Sequence, residues 1–328
     1  MLTTRNRSHS DVDIKMATCF GSSSGEISYY RVSSTISSDT TSSKSALSAS
    51  TETSQTSPLK GLEDIKIQQF IGIADMRKIV NSQSDKLRAG ASDQYLIFQP
   101  VTEKDLAKID RERHNIGKDT RMTHYADTDL LIIKLMPSVK HEAAHRSLGQ
   151  RVIAKVIGMG MSVDDLYPLG AARFRSPTRS SKESDSVYKP YTLKNEDDWP
   201  TLVIESGLSE SLRRLRVDAE WWLTNSGGNV EIVVLIAINE ARRIIQIEKW
   251  GLAPISRRRP STRAFPNNPG IPPQLVPTKI QAITINPNTG ITGAPLILEF
   301  RKVFLRPAVA AESDIIFTAQ ELSEWAAR

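Results

Sequence analysis

From residue 58 onward the chain alternates short apolar runs with charged stretches, and the spacing of the apolar positions changes along it. The segments "LEDIKIQQFIGIADMRKIV" and "QYLIFQPVTEKDLAKIDRERH" read as short apolar elements, the second running into a charged helix near Glu103. The compact run "DTDLLIIKLMPS" reads as a strand that stops at Pro137. Pro137 and Ser138 then supply helix-start chemistry for "VKHEAAHRSLGQRVIAKVIGMGM". In that helix Ala144, Leu148, Val152 and Val156 fall on one face, and Glu142, His145, Gly149 and Ile153 on a neighbouring one.

The period then shifts. "GAARFRS" and "SDSVYKP" read as strands joined by the polar loop "PTRSSKE", and "DWPTLVIESG" as a third strand centred on Leu202, Val203 and Ile204. A second helix, "SESLRRLRVDAEWWLTNSGG", has Leu208, Leu212, Leu215, Ala219 and Trp222 on its inward stripe and a glycine pair suited to its C-cap. Trp221 and Trp222 read as packing groups. "NVEIVVLIAIN" and "RRIIQIEKWGL" are further strands, and "KIQAITINPNTGITGAPLILEFRKVFL" is a hairpin about "NPNTG". The strand "DIIF" and the amphipathic helix "TAQELSEWAAR" end the sequence. The order helix, strand, strand, strand, helix, strand predicts an α/β fold with a mixed sheet.

Composition divides the chain. Residues 1–57 are dominated by serine and threonine and lack the apolar surface that would offset the entropy of ordering, so a disordered tail is expected there. Residues 58–136 form an N-terminal extension packing on the core. Residues 137–328 form the main domain. The single cysteine, Cys19, excludes a disulfide framework and favours a reducing, intracellular setting, cytoplasm or nucleus. No run is long enough for a membrane span. The net charge of +6 suits a polyanion such as nucleic acid. A basic, proline-rich loop carrying Arg257, Arg258, Arg259 and Arg263 is the candidate contact, or else a nuclear import signal or a plain solvated loop. A homodimer is compatible with the sequence.

The stretch "KHEAAHRSLGQRV" contains His141, Glu142 and His145 at the spacing of a zinc-protease helix, with Asp164 downstream as a third ligand. The charged Arg146 and polar Ser147 after His145, and the motif's place in the first helical turn, argue against zinc. Two solvent-exposed histidines at a helix start are the expected arrangement.

"SDSVYKP…DWPTLVIESGLSESLRRLRVDAEWWL" resembles the PD-(D/E)XK restriction-endonuclease-like superfamily, in particular its endonuclease branch found in bacteria and as a fungal hypothetical-protein family. The resemblance spans about residues 137–250. It implies a restriction-endonuclease-like αβββαβ core and cleavage of phosphodiester bonds with Mg²⁺ or Mn²⁺. It further implies Asp185 and Glu205 as metal ligands and Glu142 as the acid of the first helix. The lysine that the superfamily places two residues after the strand glutamate is here Gly207. The following helix offers arginines instead, with Arg213 or Arg216 to steady the scissile phosphate. Arginine stabilises a phosphate but cannot act as a base at neutral pH. A degenerate, non-cutting relative that binds nucleic acid or a partner is the alternative that this departure leaves open.

Overall fold

Two large β-sheets, beside a third of only two strands, organise the described residues, and alternation along their strands decides which face each side chain serves. The computed structural model describes residues 57–90, 94–117, 120–136, 139–208, 212–255 and 274–327. The Ser/Thr-rich tail up to residue 56, the arginine loop with Arg257, Arg258, Arg259 and Arg263, and the helix-start pair Pro137 and Ser138 lie outside the described residues.

The N-terminal part supplies β1 (Ile67–Gln69), α1 (Ile73–Arg88), β2 (Tyr95–Gln99), α2 (Glu103–Arg111), the single turn α3 (Arg113–Ile116), β3 (Thr120–Tyr125) and β4 (Leu130–Leu135). Thr102 starts α2 with a reciprocal capping box to Asp105, which explains why a highly charged segment forms a helix there. Along β4, Leu131, Ile133 and Leu135 join Met76, Val80, Leu106 and Ile109 in one apolar cluster. Leu130 and Ile132 face the other way, with Tyr95 and Ile97, and alternation puts Lys134 on their side.

The remaining chain begins with α4 (Val139–Gly158), β5 (Leu166–Gly170), β6 (Arg173–Arg175), β7 (Ser181–Glu183), β8 (Ser186–Pro190), β9 (Leu202–Leu208) and α5 (Leu212–Asn225). It continues through β10 (Ile232–Asn239), β11 (Ile244–Pro254), β12 (Leu275–Asn286), β13 (Gly290–Thr292), β14 (Leu296–Leu298), α6 (Phe300–Phe304), β15 (Ile315–Phe317) and α7 (Ala319–Ala326). One mixed sheet runs β13-β12-β11-β10-β9-β8-β5. Its strands β5, β8 and β9 are antiparallel neighbours, while β9 and β10 are parallel and joined through the crossover helix α5. The expected α/β class, mixed sheet and helix–strand–strand–strand–helix–strand order are all present.

The assignment of the first core strand needs correction. "GAARFRS" was expected to open the core sheet, but its β6 pairs with β7 in the other sheet, ordered β1-β2-β4-β3-β7-β6. The first core strand is β5, "LYPLG". The loop "PTRSSKE" is a strand at its end, because Thr123 and His124 of β3 offer Lys182 and Ser181 a pairing edge. Residues 53–328 thus form one compact unit, in which the extension and the core share a sheet.

The two faces of the seven-stranded sheet are covered by different helices. Ala144, Leu148, Val152 and Val156 of α4 pack on Leu202, Ile204, Val234 and Ile236, together with residues of α6 and α7. On the opposite face Leu215, Ala219, Trp221 and Trp222 of α5 meet Val203, Val233 and Leu235. Both tryptophans are buried, as their helical spacing implies. Gly149 is required on α4, because a Cβ there would run into the Tyr188 ring and hydroxyl. Among the described residues, no helix is long and apolar enough to cross a membrane.

Candidate functional site

Where the two sheets face one another, the apolar layer is interrupted by charge. Register decides which residues meet. In the six-stranded sheet Arg121 lies opposite Lys134 and Thr123 opposite Lys182, so the cations Arg121, Lys134 and Lys182 project from one face. In the seven-stranded sheet Ser186 pairs with Ile204, and continuing that antiparallel register by one step sets Asp185 beside Glu205. Alternation turns Glu205 to the α5 side, since Leu202 and Ile204 serve the α4 side.

The resulting centre is tightly paired. Asp185 Oδ2 accepts hydrogen bonds from Lys134 Nζ at 3.0 Å and from the Ser206 backbone N–H at 2.9 Å. The same ammonium donates to the Ser206 carbonyl oxygen at 2.5 Å. Arg121 Nε stands 3.9 Å from Asp185 Oδ1 and donates to the Ser184 carbonyl at 2.9 Å, while its Nη2 reaches Glu142 Oε1 at 3.2 Å. One step further, Glu205 Oε1 accepts from Trp222 Nε1 at 2.7 Å and lies 3.8 Å from Lys182 Nζ. Lys182 in turn donates to Asp218 Oδ1 at 2.9 Å, which also pairs with Arg214 at 3.2 Å. Four buried cations, Arg121, Lys134, Lys182 and Arg214, therefore face four acids, Glu142, Asp185, Glu205 and Asp218, and the exposed Arg146 also pairs with Glu142.

Burial sets the electrostatics. It pushes the Glu205 carboxyl up to about 7, against the opposing pull of Lys182. Burial alone would lower Lys182 and raise Asp218. Their mutual attraction reverses both shifts, holding the ammonium above and the carboxyl below the usual ranges. The side chains of Asp185, Glu205, Lys134 and Lys182 are at most 6% exposed, and Glu142, at 24%, is the acid nearest solvent. A cavity of about 10 Å³ lined by Arg121, Lys134, Lys182 and Glu205 has room for one water.

The structure thus brings together Asp185 and Glu205, and links Glu142 to them through Arg121. It does not bring the two helix arginines to them. Arg213 is held by Glu63 at 2.6 Å, and Arg216 by the buried Glu248 at 2.6 Å. The sequence reading passed over Lys134 and Lys182. The signal for Lys134 was present: a single lysine at an inward position of an otherwise apolar strand needs a buried acid.

The fit of a metal to these residues is poor. Among the described residues no group of three or more His, Cys, Asp or Glu side chains is placed to hold a metal ion. The nearby carboxylates are neutralised by protein cations, and a divalent ion would add two charges to a centre already balanced. Among the described residues the zinc arrangement finds no support on the same ground. Asp164 is exposed on a turn. His145 is buried rather than solvent-exposed, with Nδ1 2.7 Å from Ser186 Oγ and Nε2 3.7 Å from Glu142. Burial lowers its pKa, favouring the neutral ring. The His141 side chain lies outside the described residues. No protein-family model matches the chain, and no curated protein matches it either.

Proposed function

We propose that this chain is a restriction-endonuclease-like protein that no longer cuts and serves as a binding module for a polyanion such as nucleic acid. The observation that carries this reading is the Lys134 ammonium seated between Asp185 Oδ2 and the Ser206 carbonyl. A carboxylate and a backbone carbonyl are oxygen donors of the kind a hard divalent cation takes. Here a lysine takes them. The strand order and the adjacent acids support descent from a Mg²⁺-dependent phosphodiesterase. The positive net charge and the arginine-rich sequence from Arg257 to Arg263 support the polyanion.

A second reading, an active nuclease using Mg²⁺ or Mn²⁺, has one observation in its favour. Lys134 and Lys182 place ammonium groups beside Asp185 and Glu205, which Gly207 cannot do. One set of assays separates the two readings. Purified full-length chain is incubated with single- and double-stranded DNA and RNA in Mg²⁺ and in Mn²⁺, and binding is followed by fluorescence anisotropy across a salt series. The binding reading expects intact substrate and an affinity that falls steeply with salt. Cleavage that disappears in Asp185→Ala would establish the nuclease instead.

A further inference from the structure

Of the 17 prolines in the chain, only two follow a serine or threonine: Pro58 after Ser57, and Pro177 after Ser176. Each of these serines has a basic residue three positions on, Lys60 and Arg179. Serine, proline and a base at that spacing suit a proline-directed kinase, whose site accepts a residue with no backbone N–H and pairs the base with an acid. The fold treats the two copies differently. Ser176 lies in the turn of the β6–β7 hairpin and is only 6% exposed. Its Oγ stands 2.6 Å from Thr178 Oγ1, its N–H donates to the Ser180 carbonyl at 2.8 Å, and its carbonyl accepts from the Arg179 N–H at 2.9 Å. Ser57 is exposed. Its carbonyl closes a turn with the Lys60 N–H at 3.0 Å, and its hydroxyl accepts one long bond from the Leu59 N–H at 3.4 Å.

Ser57 also begins a strap. Leu59, Leu62 and Ile65 pack on Tyr95 and Ile132 of the six-stranded sheet. The same strap crosses the first turn of α5. The Pro58 carbonyl accepts from Arg214 Nη1 at 2.6 Å, Gly61 lies against the Arg214 backbone, and Glu63 holds Arg213 at 2.6 Å. The turn at Lys60 folds Ser57 back towards Gly61, and so towards these arginines. We propose that Ser57 is a phosphorylation site for a proline-directed kinase, that the fold selects it over Ser176, and that its phosphate fastens the strap to Arg213. The kinase moves the γ-phosphoryl group of ATP to Ser57 Oγ. An O–P bond forms there, the bond to the departing ADP breaks, and the hydroxyl proton passes to the kinase's base. The product carries nearly two negative charges beside a half-exposed guanidinium, and such a pair orders the segment that bears it. This site is independent of whether the chain cuts or only binds.

The test treats the full-length chain with a purified proline-directed kinase and Mg-ATP, and maps the product by mass spectrometry over time. Ser57 is expected to be modified roughly a hundredfold faster than Ser176, whose hairpin must open first. A synthetic peptide of residues 170–184, freed from the hairpin, should accept phosphate at Ser176. In the phosphorylated chain, the Leu62 and Ile65 amides, which bond back to the Leu59 and Leu62 carbonyls, should exchange their hydrogens roughly fivefold more slowly. Arg213→Ala should be phosphorylated as fast as wild type yet lose that slowing. An unmodified Ser57 overturns the site. Ser176 modified as fast in the folded chain, or refused in the peptide, overturns selection by the fold. Unchanged or faster exchange on phosphorylation, or slowing that survives Arg213→Ala, overturns the fastening.

Discussion

The two faces of the seven-stranded sheet solve the same packing problem by opposite means. Beneath α4, Leu148, Val152 and Val156 meet Ile204, Val234 and Ile236, and stability comes from apolar area removed from water. Near α5, the layer of Leu215, Ala219 and Trp222 gives way to Lys182, Asp218, Arg214 and Glu205. There each ion carries a desolvation cost of several kcal/mol, offset only while its partner is present. An apolar layer degrades gradually under substitution, whereas a balanced ionic layer fails when one member is lost.

The largest effect is expected from Asp218→Asn. It strands Lys182 and Arg214 without their carboxylate, and denaturant unfolding should show a loss of roughly 3–5 kcal/mol. A loss below about 1 kcal/mol would mean that the charges are not what holds the sheets together. On the apolar face, Leu148→Ala should cost about 3 kcal/mol through lost burial and a residual cavity. Because no charge is involved, that loss should be the same at pH 5 and pH 8; a strong pH dependence would erase the contrast between the faces. Glu205→Gln gives the smallest change and the most specific one. Glu205 takes up its proton at about 7 in the folded chain, against 4.5 unfolded. Between those values the folded chain holds more protons, so stability falls as pH rises through the window. Glutamine should flatten that slope, which for one proton is at most about 1.4 kcal/mol per pH unit. An unchanged pH profile would assign the slope to another group.

Much of this architecture was legible in the sequence, and the gaps share a cause. The α4 stripe, the β10 run and the turn at Asn286–Gly290 each announce themselves by local periodicity or turn chemistry. The first core strand was missed because Pro168 breaks "LYPLG" and reads as a turn, while as the sheet's edge strand it tolerates proline. β7 was missed because "SKE" is polar. Its residues are buried only because ions from another strand and helix meet them there. The centre itself was half visible. Asp185 and Glu205 came from a resemblance to known strands, but their partners Lys134 and Lys182 are set by cross-strand register, which no local pattern encodes.

The route of the chain between β5 and β8 has a mechanical consequence. After β5 the backbone leaves one sheet, lends β6 and β7 to the other, and returns for β8. The two sheets are therefore sewn together by covalent thread as well as by charge. A fragment cut at residue 137 would keep the core's strands yet leave β7 with a raw hydrogen-bonding edge where β3 had been, a surface prone to self-association. Extension and core are parts of one folding unit, and neither can be lifted away to expose the acids without unravelling the seam.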